Sequence, residues 1–218
     1  MEKFYIDESG YTGYDLLNKQ QPFQGASSIK IDEESAKALI EEYFSKNRSR
    51  ELKHGNLSRR KNNWDALLSI QRTLLNEYMG FTYVCDKKYL LILLFLDSCL
   101  EPFFKDQGID FYEDGHNHAL GSILYYTAPS FWGAENFEEL LWLFQQASKS
   151  KSDVAINALA IKAEFLMERE LSENLFPIAT EYQSCVEEIK ELNANTDAAF
   201  VVLLSLISFH PESRVFST

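Results

Sequence analysis

The feature that most constrains this chain stands at its start. A β-favouring run, Phe4-Tyr5-Ile6, meets two adjacent acids, Asp7 and Glu8, and then a turn built on Gly10 and Gly13. Aromatic and β-branched side chains suit a pleated, half-buried strand, and glycines supply the backbone freedom of a tight turn. The pattern predicts a first strand over residues 3–7. Side chains alternate across a strand, so Asp7 and Glu8 face opposite sides unless the backbone bends. One acid can then enter a site while the other is solvated or binds the groups around it. An ordinary polar strand end has the same pattern.

Similar reasoning predicts a second strand over 23–31. Asp32 then caps a helix whose stripe is Ala36, Leu39, Ile40, Tyr43 and Phe44. A second amphipathic helix is expected over 64–78, closed by Gly80. Residues 81–85 read as a strand that ends at Asp86, and 109–112 as another. Residues 89–104 are apolar almost all round, the mark of a buried helix. From Asn117 helical patterns dominate, with breaks expected near Pro129, Gly133, 148–152, Pro177 and 193–195. The expected class is α/β, a mixed sheet with flanking helices and a mostly helical C-terminal half. One domain is expected over 1–218, with 1–115 as the α/β core and 116–218 as a helical extension packed on it.

A hydrophobic content of 45% can build a core of this size without metal or disulfide staples. The longest apolar run, 89–96, is far too short for a bilayer, and no signal-type stretch opens the chain. No membrane partner is expected, and the cytoplasm is the expected location. The three cysteines, Cys85, Cys99 and Cys185, match neither a zinc pattern nor a disulfide framework and should be buried thiols. The sequence lacks a P-loop, a dinucleotide glycine fingerprint and a Gly-x-Ser-x-Gly elbow. Nucleoside-triphosphatase, dehydrogenase and serine-hydrolase chemistry are therefore poor readings.

The net charge of −12 is unevenly spread. Between Lys46 and Lys61 lie Arg48, Arg50, Lys53, Arg59 and Arg60, opposed only by Glu51, so this segment carries +6 and the rest −18. Such a segment can hold a phosphate backbone, and a solvated loop of scattered charge has the same composition. Within it, Glu51 and Lys53 share one face if the segment is extended. A carboxylate beside an ammonium suits phosphodiester hydrolysis, the acid holding a divalent metal and Lys53 neutralising charge on phosphate. Asp86-Lys87 repeats the placement of an acid just past an apolar strand. Glu113, Asp114, His116 and His118 form a further polar group, without a third histidine or cysteine at zinc spacing. Asp197, with Thr196, either caps the apolar helix that follows or supplies a late carboxylate ligand. Acids at several separated strand ends are the ligand type that Mg2+ or Mn2+ prefers.

The run Tyr5-Ile6-Asp7-Glu8-Ser9-Gly10-Tyr11-Thr12-Gly13 resembles the bacterial and phage-associated domain-of-unknown-function family 3800, whose members open on Ile-Asp-Glu-Ser-Gly. The resemblance continues at Glu51-Leu52-Lys53-His54, and weakly at Asp86-Lys87-Lys88-Tyr89, at 111–117 and at Asp197-Ala198-Ala199-Phe200. It implies a ribonuclease-H-like fold and a metal-dependent nuclease. Asp7 would be the central metal ligand, Glu51, Asp86 and Asp197 would complete the acidic set, and Glu8 and Lys53 would be auxiliary. Similar proteins continue into a further strand with a His-Asp-type motif, whereas this sequence ends at Thr218, soon after His210-Pro211. A fragment, an inactive relative or a subunit completed by a protein partner would each fit that difference.

Three functions follow as expectations. The leading one is a nuclease that hydrolyses phosphodiester bonds of DNA or RNA with Mg2+ or Mn2+. A second keeps the fold without catalysis, as a binding or regulatory subunit of a bacterial defence or toxin-type system. A third places a restriction-endonuclease-like centre at Asp32 and Glu51-x-Lys53, with Asp7 remote from it.

Overall fold

The structure, a computed structural model, describes residues 4–45, 52–170, 178, 182–192 and 202. Three strands, β1 (Phe4–Ser9), β2 (Phe23–Lys30) and β3 (Met79–Asp86), form a sheet in the order β1-β2-β3. Neighbouring strands run antiparallel, so among the described residues the sheet is a simple meander and not the expected mixed sheet. The class is α/β with helix predominant. The helices are α1 (Glu33–Phe44), α2 (His54–Leu57), α3 (Trp64–Glu77), α4 (Lys87–Cys99), α5 (Glu101–Asp106), α6 (His116–Phe131), α7 (Ala134–Ser150), α8 (Asp153–Glu170) and α9 (Tyr182–Glu191).

Contacts divide the chain into two compact units, with cuts at 8/9, 25/26 and 83/84, inside the strands. In the unit that holds residues 26–83, α1 packs against α3, and Tyr43 and Thr73 join them through a 3.1 Å hydroxyl–hydroxyl bond. Asp32 caps α1 as expected, accepting from Ser35 N at 2.9 Å and Ser35 Oγ at 2.7 Å. These bonds favour the charged carboxylate and hold its pKa below the ordinary value.

The other unit is organised around α4. Leu90, Leu91, Ile92, Leu94, Phe95 and Leu96 are all buried, which is why this helix shows no polar face in the sequence. Burying one such side chain stabilises by roughly 1.5–3 kcal/mol. Helices α5, α6, α7 and α9 pack around α4, and α8 packs on α7. Gly121 of α6 lets that helix approach closely, since a Cβ there would lie 2.8 Å from Leu93. All three cysteines are buried and none is in a disulfide.

Four local expectations differ from the structure. Gly80 does not close α3; it lies in β3, facing the Ser28 carbonyl closely enough that a Cβ would sit 3.2 Å away. The apolar stretch 89–104 is two helices, broken at Leu100, because Pro102 suits the first turn of a new helix and not the middle of an old one. Residues 109–112 are no strand: the Asp110 carboxylate takes the Tyr112 N–H at 2.8 Å, closing a turn, and Phe111 stacks on Phe104 with centroids 5.4 Å apart. Pro129 does not break α6 but sits in its last turn. Expected breaks at Pro177 and 193–195 lie outside the described residues. Among the described residues, no helix is long and apolar enough to cross a membrane.

Candidate functional site

In an antiparallel meander the end of β1, the start of β2 and the end of β3 share one end of the sheet. Ser9, Phe23 and Asp86 are those three strand ends, and all belong to the α4-centred unit. Both acid-bearing motifs therefore finish at the same sheet end. Gly10 leaves β1 with φ +82, and a Cβ there would fall 2.2 Å from the Phe23 carbonyl oxygen. Only glycine meets both demands, the left-handed backbone and the close approach. Asp7 and Glu8 themselves are exposed.

The loop from Gly10 to Pro22 is tied down at several points. Thr12 Oγ1 donates to Asp15 O at 2.6 Å, and Asn18 Oδ1 accepts from Gln20 N and Gln21 N, both at 3.0 Å. Leu16 N donates at 2.8 Å to Oε1 of Gln145, a buried polar side chain on α7. At the loop's end, Pro22 O accepts from Lys87 N at 2.9 Å. Lys87 is fully buried and its Nζ donates to Thr12 Oγ1 at 2.8 Å. Loss of hydration lowers the Lys87 pKa, and the Asp15 charge only partly opposes this.

Asp86 ends β3 and caps α4 at once. Its Oδ1 accepts from Tyr89 N at 3.0 Å and its Oδ2 from Tyr125 OH at 3.2 Å. The Tyr125 pKa is raised, first by burial and then by the Asp86 charge. Burial, with Asp86 second, pushes the neighbouring Cys85 thiol up to about 11, so it is held protonated and unreactive at neutral pH.

The other predicted residues are distributed as follows. Glu51 and Asp197, and the basic Arg48 and Arg50, lie outside the described residues. Lys53 is exposed and forms the N-cap of α2 with extended backbone, though outside any strand. Arg59, Arg60 and Lys61 are exposed in the turn that leads to α3. Beside them the Trp64 indole is fixed by its Nε1–H on Ser58 O at 2.7 Å while more than half of it remains exposed. Asp32 is committed to its cap. His118 is engaged by Tyr89, whose hydroxyl lies 3.3 Å from Nδ1 and 3.2 Å from the His118 carbonyl. Among the described residues, no three His, Cys, Asp or Glu side chains gather as a metal-holding group.

Thr12, Tyr125 and Gln145 were not singled out in the sequence. Gln145 alone carried a signal, as a polar residue on the apolar stripe of α7 beside Leu141, Phe144 and Ser148. A scan of protein-family models, a search of curated proteins and a search of solved structures all return no match to this chain.

Proposed function

We propose that this protein is a divalent-metal-dependent nuclease with a ribonuclease-H-like arrangement. The single observation that carries the reading lies within the α4-centred unit: Ser9, where the strand bearing Asp7-Glu8 ends, and Asp86, where β3 ends, stand at one end of the sheet on either side of Phe23 of β2. In this reading Asp7, Glu51, Asp86 and Asp197 supply oxygen ligands to Mg2+ or Mn2+, with Glu8 beside them. The donor chemistry fits a hard cation. Each Asp86 oxygen accepts one hydrogen bond and keeps a second lone pair for a ligand. The bound metal would favour water attack on the phosphodiester and neutralise charge on the leaving oxygen.

The chain's own residues do the rest. Tyr125 and the α4 N-terminus hold the Asp86 carboxylate in one orientation. The Lys87–Thr12 bond steadies the loop that follows Asp7-Glu8. Lys53, Arg59, Arg60 and Lys61, with Arg48 and Arg50 of the same segment, hold the phosphate backbone. The test is cleavage of several DNA and RNA substrates with Mg2+ or Mn2+. Asp7→Asn is expected to lose at least about a hundredfold in rate, the scale of one transition-state-stabilising group. No cleavage by wild type, or equal cleavage by Asp7→Asn, overturns the proposal.

One observation favours a second reading, the non-catalytic binding or regulatory subunit of a bacterial defence or toxin-type system. Both Asp86 oxygens already serve local structure, as an N-cap and as a tyrosine acceptor. Calorimetric titration separates the two readings, because a pure interaction module takes up no Mn2+ tightly.

A further inference from the structure

The α4-centred unit holds a cavity of about 540 Å3, within the range of small-ligand sites. Leu16, Leu17 and Pro22 of the loop after β1 give it an apolar floor. Tyr125 of α6 and Trp142 of α7 add aromatic walls, and Asp86 lines it at the end of β3. Trp142 is 52% exposed, on a helix whose Leu140, Leu141 and Phe144 are buried.

The rim is charged. Glu138 pairs with Lys19 at 3.5 Å, and Glu139 pairs with Lys162. Lys88 differs: its ammonium lies 5.3 Å from the Phe137 ring centroid, and among the described residues it forms no ion pair with a carboxylate. A ligand that answers all of these needs a flat apolar face, edge donors for carboxylate oxygens and an anionic group for Lys88. A nucleotide has each of them, in its ring face, its exocyclic amine or ring N–H, and its phosphate.

We propose that this cavity receives the base of an unpaired nucleotide, stacked on Trp142 with its phosphate held by Lys88. The choice of ligand rests on the nuclease reading, since Asp86 belongs both to the cavity and to that proposed site. An unstacked base docked beside Asp86 fixes the strand at that carboxylate, and it gives single strands and frayed ends an advantage over closed duplex. The ligand has two possible sources, a free nucleotide or a nucleotide within a strand.

Binding is measured without metal, in EDTA, so that cleavage plays no part. The probes are AMP, CMP, a short mixed-sequence single-stranded oligonucleotide and the blunt duplex of the same sequence. Wild type is expected to bind single strand more tightly than duplex. Trp142→Ala should weaken that binding by roughly fivefold to a hundredfold, the factor that corresponds to the ~1–3 kcal/mol of one base–aromatic stack. Trp142→Phe should restore most of the loss, and Phe131→Ala, another exposed aromatic of the same unit, should bind as wild type. Mononucleotides that bind as tightly as the oligonucleotide assign the site to free nucleotide; tighter oligonucleotide binding assigns it to the strand. Wild type that takes up none of the probes, or Trp142→Ala that binds like wild type, overturns the proposal. Binding that depends on Trp142 without any metal-dependent cleavage sinks only the nuclease reading. Cleavage that depends on Asp7 while binding ignores Trp142 sinks only the cavity assignment.

Discussion

At the scale of single residues, the buried ionisable groups set the pH behaviour. Asp97 of α4 has one carboxylate oxygen buried without a hydrogen-bond partner, while the carboxyl is also bonded by Tyr112. Burial raises its pKa from 3.8 to about 6, the Tyr112 bond opposing this and the Glu101 charge adding to it. A carboxyl whose folded pKa is raised binds its proton more tightly in the fold. Its contribution to stability is therefore fully present below pH 3.8 and lost as pH rises through about 6. Asp97→Asn, which keeps an acceptor for Tyr112 and removes the charge, should gain on the order of 1–2 kcal/mol over wild type at pH 8. That advantage should shrink at pH 5. Denaturant melts at the two pH values check this, and an advantage independent of pH would show that Asp97 is not the group responsible. Lys87 is the opposite case of a buried base. Its lowered pKa costs stability while it is charged, and the cost fades as pH rises toward 10.5.

At the scale of elements, the joint between β3 and α4 carries the most structural weight at the proposed site. No linker separates them: Asp86 is the last residue of the strand and the cap of the helix. Asp86→Ala should cost about 1–2 kcal/mol, the usual loss of an N-cap carboxylate, with Tyr125 also losing its acceptor. Asp86→Asn keeps an oxygen for Tyr89 N and should cost less than half as much. Both variants remove the negative charge, so both should lose any Mn2+ site. Melting curves beside Mn2+ titrations then separate the structural role from a ligand role. A site that survives Asp86→Asn at full affinity would remove Asp86 from the ligand set. The elements themselves were largely legible. The β-rich runs, the α1 cap and stripe and the all-apolar α4 each follow from residue type and spacing. Two of the failures share a cause, in that a nearby group outcompeted local propensity. Asp110 captured the Tyr112 N–H, so a β-favouring run became a turn, and the Ser28 carbonyl approached Gly80, so a helix-ending residue became part of a strand.

At the scale of the whole molecule, charge distribution makes the testable statement. The chain is strongly acidic, yet Lys53, Arg59, Arg60 and Lys61 stand exposed along one short stretch. If this stretch holds phosphate, the double variant Arg59→Ala/Arg60→Ala should weaken nucleic-acid binding similarly for all sequences. It should also lower the slope of log affinity against log salt by about 1.5–2, near one for each phosphate that is no longer neutralised. An unchanged slope would mean that the stretch is only a solvated surface.

The sequence by itself determined the α/β character, the three strands and most helices, because periodicity and residue type act over a few neighbouring positions. It also marked Asp7, Glu8 and Asp86 as acids at strand ends. It did not determine that β1 and β3 flank β2 in one antiparallel sheet, nor that Lys87 is buried against Thr12 or that Gln145 reaches the backbone of Leu16. Those pairs lie 75 and 129 residues apart in the chain, and no local pattern encodes so distant a partner. The cavity beside Asp86 likewise exists only because a loop, a strand end and three helices close around one volume. Packing decided that, through the burial of α4 and the antiparallel return of the strands.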